Sequence, residues 1–252
     1  MLGQFSPEAI FAFFLVFLRL GSALMLAPAL GESMIPARIR LTFALLLSLV
    51  ILPLVRDTLP AIPPDAVSLT LALLREMLIG VILGVSTRLI MSALHVMGVV
   101  VAYQTGLGAA QVFDPVQGTQ GAVVGSFLTL LGILVIFTTD LHHLLIAAMR
   151  DSYQLFPVGS VPDITDLTTM IIRIISESFR LGVQMSAPFL VYGLVFNIGL
   201  GLISRLMPQL QVFFIAMPLN IALGFVVLFM VIGASMMWFA DYFENTTAMF
   251  LR

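Results

Sequence analysis

Few residues in this chain have the chemistry to act on anything. Asp140, His142 and His143 stand together in FTTDLHHLL, and Arg173, Glu177, Arg180 and Gln184 follow one another at spacings of 4, 3 and 4 in RIISESFRLGVQ. Asp and His are zinc ligands, but adjacent histidines on a helix diverge by about 100°, and no third ligand stands at a metal-site spacing. The triplet reads as the polar end of a helix, and no metal is expected. Ser-His-Asp spacings, an HExxH pair and a glycine-lysine phosphate loop are all missing, and a chain without cysteine has no thiolate nucleophile. The chain reads as a non-enzyme with no cofactor.

The second group is better read as architecture. On a helix, Arg173, Glu177, Arg180 and Gln184 form one polar stripe among Ile, Phe, Leu and Val, and Glu177 can pair with Arg173 or with Arg180. A stripe of this kind belongs to an intersubunit or intramembrane polar contact, or to a solvated helix end. Arg19 lies near the middle of an apolar run, where insertion scales put an arginine at about 2.5 to 3.5 kcal/mol. It either faces a protein partner or a watery passage, or closes a salt bridge inside the chain. Gly80, Gly84, Arg88 and Ser92 step by four residues, and the Gly80-xxx-Gly84 pair permits close helix packing.

The elements that carry these residues are membrane segments. Of 252 residues 60% are hydrophobic and 10% charged, far from the roughly 25% charged of an average soluble domain, and the mean hydropathy is +1.13. Too few polar residues remain to cover a soluble globule. A net charge of −2 with no lysine offers no basic stripe for nucleic acid. Glu8 and Arg19 argue against a cleaved signal and for a retained first span.

Six apolar segments can be marked, at 10–30, 39–55, 69 to about 110, 122–149, 170–203 and 211–240. The third is too long for one span: at 1.5 Å per residue a 40-residue helix reaches roughly 60 Å. It must either break near Arg88, Ser92 and His95 or protrude. Pro188 and Pro218 predict kinks or splits in the fifth and sixth. The expected fold is an all-α integral membrane protein of long, kinked helical hairpins, one unit over residues 1–252. Between the third and fourth segments lies GLGAAQVFDPVQGTQG, where Gly106, Gly108, Gly118 and Gly121 surround Phe113, Asp114 and Pro115. Glycine lets such a loop fold back on itself, and proline stiffens one point in it.

Together, FFLVFLRLGSALMLAPALGESMIPARIRLTFALLLSLVILP at 13–53, FDP at 113–115 and APFLVYGLVFNIGLGLISRLMPQLQVFFIAMPLNIALG at 187–224 resemble the FliR family of flagellar biosynthesis proteins, with its relatives in virulence type III secretion. The likeness covers essentially the whole chain. It implies an integral subunit of the protein export gate in the bacterial inner membrane, at the flagellar basal body, passing exported proteins. It further implies assembly with FliP and FliQ, contact with FlhB and FlhA, and a fold like FliP-like and FliQ-like halves fused. By the same resemblance, residues 106–122 match a plug loop that closes the channel, residue by residue only at Phe113, Asp114 and Pro115. Two other classes stay open on the residues alone: a secondary transporter of small solutes, which broken helices and intramembrane charges would suit, and a structural membrane assembly factor.

Overall fold

The computed structural model describes residues 6–32, 35–109, 121–159, 163–207 and 212–251, with backbone only at 109, 121, 122 and 212–215. Among them every regular element is helical: α1 (Pro7–Leu26), α2 (Ala37–Val55), α3 (Ala66–Gln104), α4 (Gly121–Thr138), α5 (Leu141–Leu155), α6 (Ile164–Leu206) and α7 (Val212–Ala248).

Local chemistry sets the ends of these helices. Ser6 caps α1 by accepting the Ala9 amide at 3.2 Å, and Pro7 and Glu8 occupy the first turn, where a missing N–H and a negative charge are both favoured. The α2 helix starts after Pro36 and runs into a single 3-10 turn at Arg56–Thr58. Pro60, Pro63 and Pro64 then keep the chain non-helical until Asp65, whose carboxylate accepts the Ser68 amide at 2.9 Å at the head of α3.

The third segment does not break near Arg88, Ser92 and His95, because α3 is one helix of 39 residues, about 58 Å long at 1.5 Å per residue. No proline interrupts it, and its glycines are held by packing. The fourth segment, marked over 122–149, turns by 77° between α4 and α5, where the sequence places a polar helix end. Asp140 adopts φ 59 and ψ 13 there, a left-handed conformation that no helix continues. By contrast, α6 and α7 stay helical through Pro188 and Pro218.

Five of these helices are long and apolar enough to cross a membrane, or six if α4 and α5 count as one bent span. Two compact units share them: residues 1–90, 136–175 and 243–252 form the first, and 91–135 with 176–242 the second. The first has a continuous apolar core in which Val16, Leu20 and Leu24 of α1 meet Ile51 of α2, Ile79 and Leu83 of α3 and Met149 of α5. In the second, Leu94, Met97, Leu128, Phe189 and Phe239 are fully buried. Exposed positions are equally apolar: Leu49, Val50 and Leu54 on α2, Val191, Leu194 and Val195 on α6, and Phe229 and Met230 on α7. Exposed apolar surface on this scale suits hydrocarbon rather than water.

Candidate functional site

The most demanding group to bury is Arg19, and it is 0% exposed. Gly80 makes its setting possible. A Cβ at Gly80 would overlap the Arg19 carbonyl and the Ser22 hydroxyl, so only glycine lets α3 lie this close to α1. Gly84 repeats the contact one turn on, where a Cβ would stand 2.6 Å from the Ala23 carbonyl. Ser22 reinforces it by donating to the Met77 carbonyl at 3.1 Å. This approach sets Glu76 of α3 against Arg19, whose Nε donates to Oε2 at 2.6 Å and Nη2 to Oε1 at 3.0 Å. Nη1 donates to the Ser152 carbonyl at 3.1 Å and Nη2 also to the Phe156 carbonyl at 2.9 Å, satisfying the C-terminal end of α5. The guanidinium carbon lies 4.1 Å from the centre of the Tyr153 ring. Of the two readings of Arg19, the structure holds the internal salt bridge. The partner-facing reading gives way because the arginine's own chain surrounds it.

Sequence reasoning missed Glu76, although a signal was there: it is the lone acidic residue between Asp65 and Asp114. A carboxylate in so long an apolar run demands a cation. Which cation was not readable from spacing.

Arg88, Arg173, Arg180 and Gln184 are all exposed. Glu177 takes the second of its two candidate partners, Arg180 Nη1, at 3.8 Å. Gln184 lines a cavity of about 480 Å³ together with Leu181, Ala187, Trp238 and Asp241. Close by in sequence, Ser178 and Tyr242 share a hydrogen bond of 3.1 Å between α6 and α7.

Asp140, His142 and His143 lie closer together than uninterrupted helical spacing predicts. One ligand atom from each falls within 4.8 Å of the others, and the two imidazole centres are 4.0 Å apart. Asp140 and His143 are exposed, and Phe137 sits against His142 with ring centres 5.0 Å apart.

At the end of α3 the chain turns towards the glycine-rich stretch. Gly106 has φ +78 and Gly108 packs on Tyr103, its absent Cβ 3.2 Å from that ring. Phe113, Asp114, Pro115 and Gly118 lie outside the described residues, and of Gly121 only the backbone, as first residue of α4, is described. Beside the two described ends of the stretch lies an apolar cavity of about 560 Å³, lined by Leu107, Val123, Val124, Phe127, Ile221 and Phe225.

The sequence matches the bacterial export proteins, family 1, over residues 10–246. The chain belongs to this family. It is similar to the flagellar biosynthetic protein FliR of Caulobacter vibrioides, 41% identical over 231 residues that cover 91% of this chain and 92% of the relative. FliR of Aquifex aeolicus is 30% identical over 95% of this chain and 92% of its own, and FliR of Bacillus subtilis 30% identical over 86% and 84%. The match to the export family includes residues of both compact units and of each described helix. It therefore includes Arg19, Glu76 and the glycine-rich stretch among its matched residues.

Proposed function

We propose that this chain is a subunit of the flagellar type III protein export gate in the bacterial inner membrane. The observation that carries the reading is a match to an export-protein family along nearly the whole chain, in a protein with many large apolar side chains exposed on α2, α3, α4, α6 and α7. It assembles with FliP and FliQ and contacts FlhB and FlhA, as the resemblance implies, and its transient substrates are exported flagellar building blocks. The subunit works as a conduit component and performs no chemistry on what it passes. Energy for export then comes from partners or from an ion gradient, since the sequence carries no glycine-lysine phosphate loop.

Within that gate, residues 106–122 act as the plug. Support comes from composition: glycines that permit close folding, Phe113 as an apolar stopper, and Pro115 as a stiff point. Deleting residues 110–116, or replacing Phe113→Ala, in the gate assembled with FliP and FliQ should raise its ion leak in planar bilayers while the complex still purifies intact. Unchanged conductance removes the plug assignment. Failure of the chain to co-purify with FliP and FliQ removes the subunit assignment itself.

A further inference from the structure

The end of α3 is held by a polar knot that the export-gate reading does not require. Gln104 is the last residue of α3, so its carbonyl is one of those that a helix leaves without an internal donor. Asn220 of α7 supplies the donor from outside, its Nδ2 lying 3.2 Å from the Gln104 oxygen. The other end of that carboxamide is fixed in turn. The Tyr192 hydroxyl of α6 lies 2.5 Å from Asn220 Oδ1 and 2.9 Å from the Asn220 main-chain oxygen, a donation shared between the two. With its oxygen occupied by the phenol, the carboxamide can only turn its NH₂ towards α3.

Three glycines make the approach possible. A Cβ at Gly193 of α6 would overlap the Gln104 side chain, and one at Gly224 of α7 would overlap the side chain of buried Thr105. At Gly106 the chain leaves the helix with φ +78, the left-handed exit that glycine serves, and a Cβ there would stand 3.2 Å from Asn220 Nδ2. The helices α3, α6 and α7 thus meet at one level, at the first residue of the glycine-rich stretch. Asn and Tyr are the side chains that most need partners among apolar neighbours such as Val191 and Leu194, and here they find them at the point where the loop begins.

We propose that Tyr192 and Asn220 form a latch that positions the root of the 106–122 stretch. Tyr192 orients the Asn220 carboxamide, Asn220 caps α3, and the cap sets where and in what direction the stretch departs. These are positioning residues: they act through Gln104 and Gly106 and need not touch what is exported. A displacement that separates α6 from α7 at this level removes the cap, so the latch ties the end of α3 and Gly106 to the packing of two helices distant in sequence. Its functional meaning rests on the plug reading above, while its geometry does not.

The test uses the assembled gate, purified in detergent, carrying Tyr192→Phe, which removes one hydroxyl and no ring, or Asn220→Leu. Hydrogen exchange is followed at Thr105 and Gly106, whose amides donate to Val101 and Tyr103, and at 76–90 of the same helix as the internal standard. Loss of the Tyr192 hydroxyl or of the Asn220 cap on Gln104 should speed exchange at 105–106 by about tenfold in either variant, with the standard unmoved. Unchanged exchange at 105–106 in both variants overturns the latch, as does an equal rise along all of α3, which would mean only general loosening. The deletion of 110–116 separates this idea from the plug. Faster exchange with no leak on deletion sinks the plug and keeps the latch, whereas a leak on deletion with unchanged exchange does the reverse.

Discussion

At the scale of single residues, Arg19 and Glu76 are the clearest case of one side chain dictating another. Each is within 1% of complete burial, and their attraction works in a low dielectric with further hydrogen bonds to Ser152 and Phe156. Removing one partner leaves an uncompensated charge. Arg19→Met or Glu76→Leu alone should therefore lower stability by about 3–5 kcal/mol, read as a shift of the helical circular-dichroism transition in detergent. The double replacement should recover most of that loss. If the double variant is as unstable as the worse single one, the ion pair is not what makes the singles costly. The arginine was conspicuous in the sequence, and so was the lone acid of the third segment. Their pairing across 57 positions was not, because nothing local in either helix encodes the partner.

At the scale of the helix, termini and breaks follow different rules. The head of α3 follows a local rule: Asp65 after a proline cluster accepts from Ser68 three residues on, as a helix cap does. The Ser68 amide and hydroxyl hold the Asp65 carboxyl below the usual carboxylate range. A carboxyl whose pKa is lowered on folding stabilises the helix above its unfolded pKa, and that contribution fades as pH falls through the lowered value. Exchange of the first amides of α3, corrected for its intrinsic pH dependence, should consequently rise on acidification, and Asp65→Ala should abolish the pH response. A flat corrected profile in the native chain counts against the cap. The break at Asp140 was less legible, since Thr-Thr-Asp reads as a helix end but says nothing of a second helix starting at the next residue, at 77° to the first. The continuity of α3 was hidden for the opposite reason. A helix longer than a bilayer looks improbable until close-packed neighbours account for it: Gly98 against Gly125 of α4, Gly182 of α6 against Ala93 and Val96.

Among the described residues, exposed apolar positions share the surface of α6 with a polar stripe. Glu177 and Arg180 form an exposed pair, with side chains 45% and 68% accessible, and Arg173 and Gln184 are exposed on the same helix. In water such a pair is worth little, about 0.3–0.5 kcal/mol. Against lipid or a neighbouring subunit it is worth far more, because unpaired charge there has no water to fall back on. Glu177→Lys places three cations along the stripe and should sharply reduce the yield of complex with FliP and FliQ on co-purification, while leaving expression of the chain itself intact. Normal complex yield would take the stripe out of the subunit interface.

Composition and local pattern were enough for the class of the molecule, for most helix ends to within a few residues, and for the segment set apart by glycine and Phe-Asp-Pro. All of these follow from composition, periodicity and local capping, which act over a few neighbouring residues. That Arg19 answers to Glu76, that Gly80 and Gly84 serve α1 of the same chain, and that Tyr192 and Asn220 converge on the end of α3 came from packing. Each of those depends on two helices lying close enough for a hydrogen bond, and that distance is set by which small residues face one another across a gap, a property of the packed chain and of no single stretch within it.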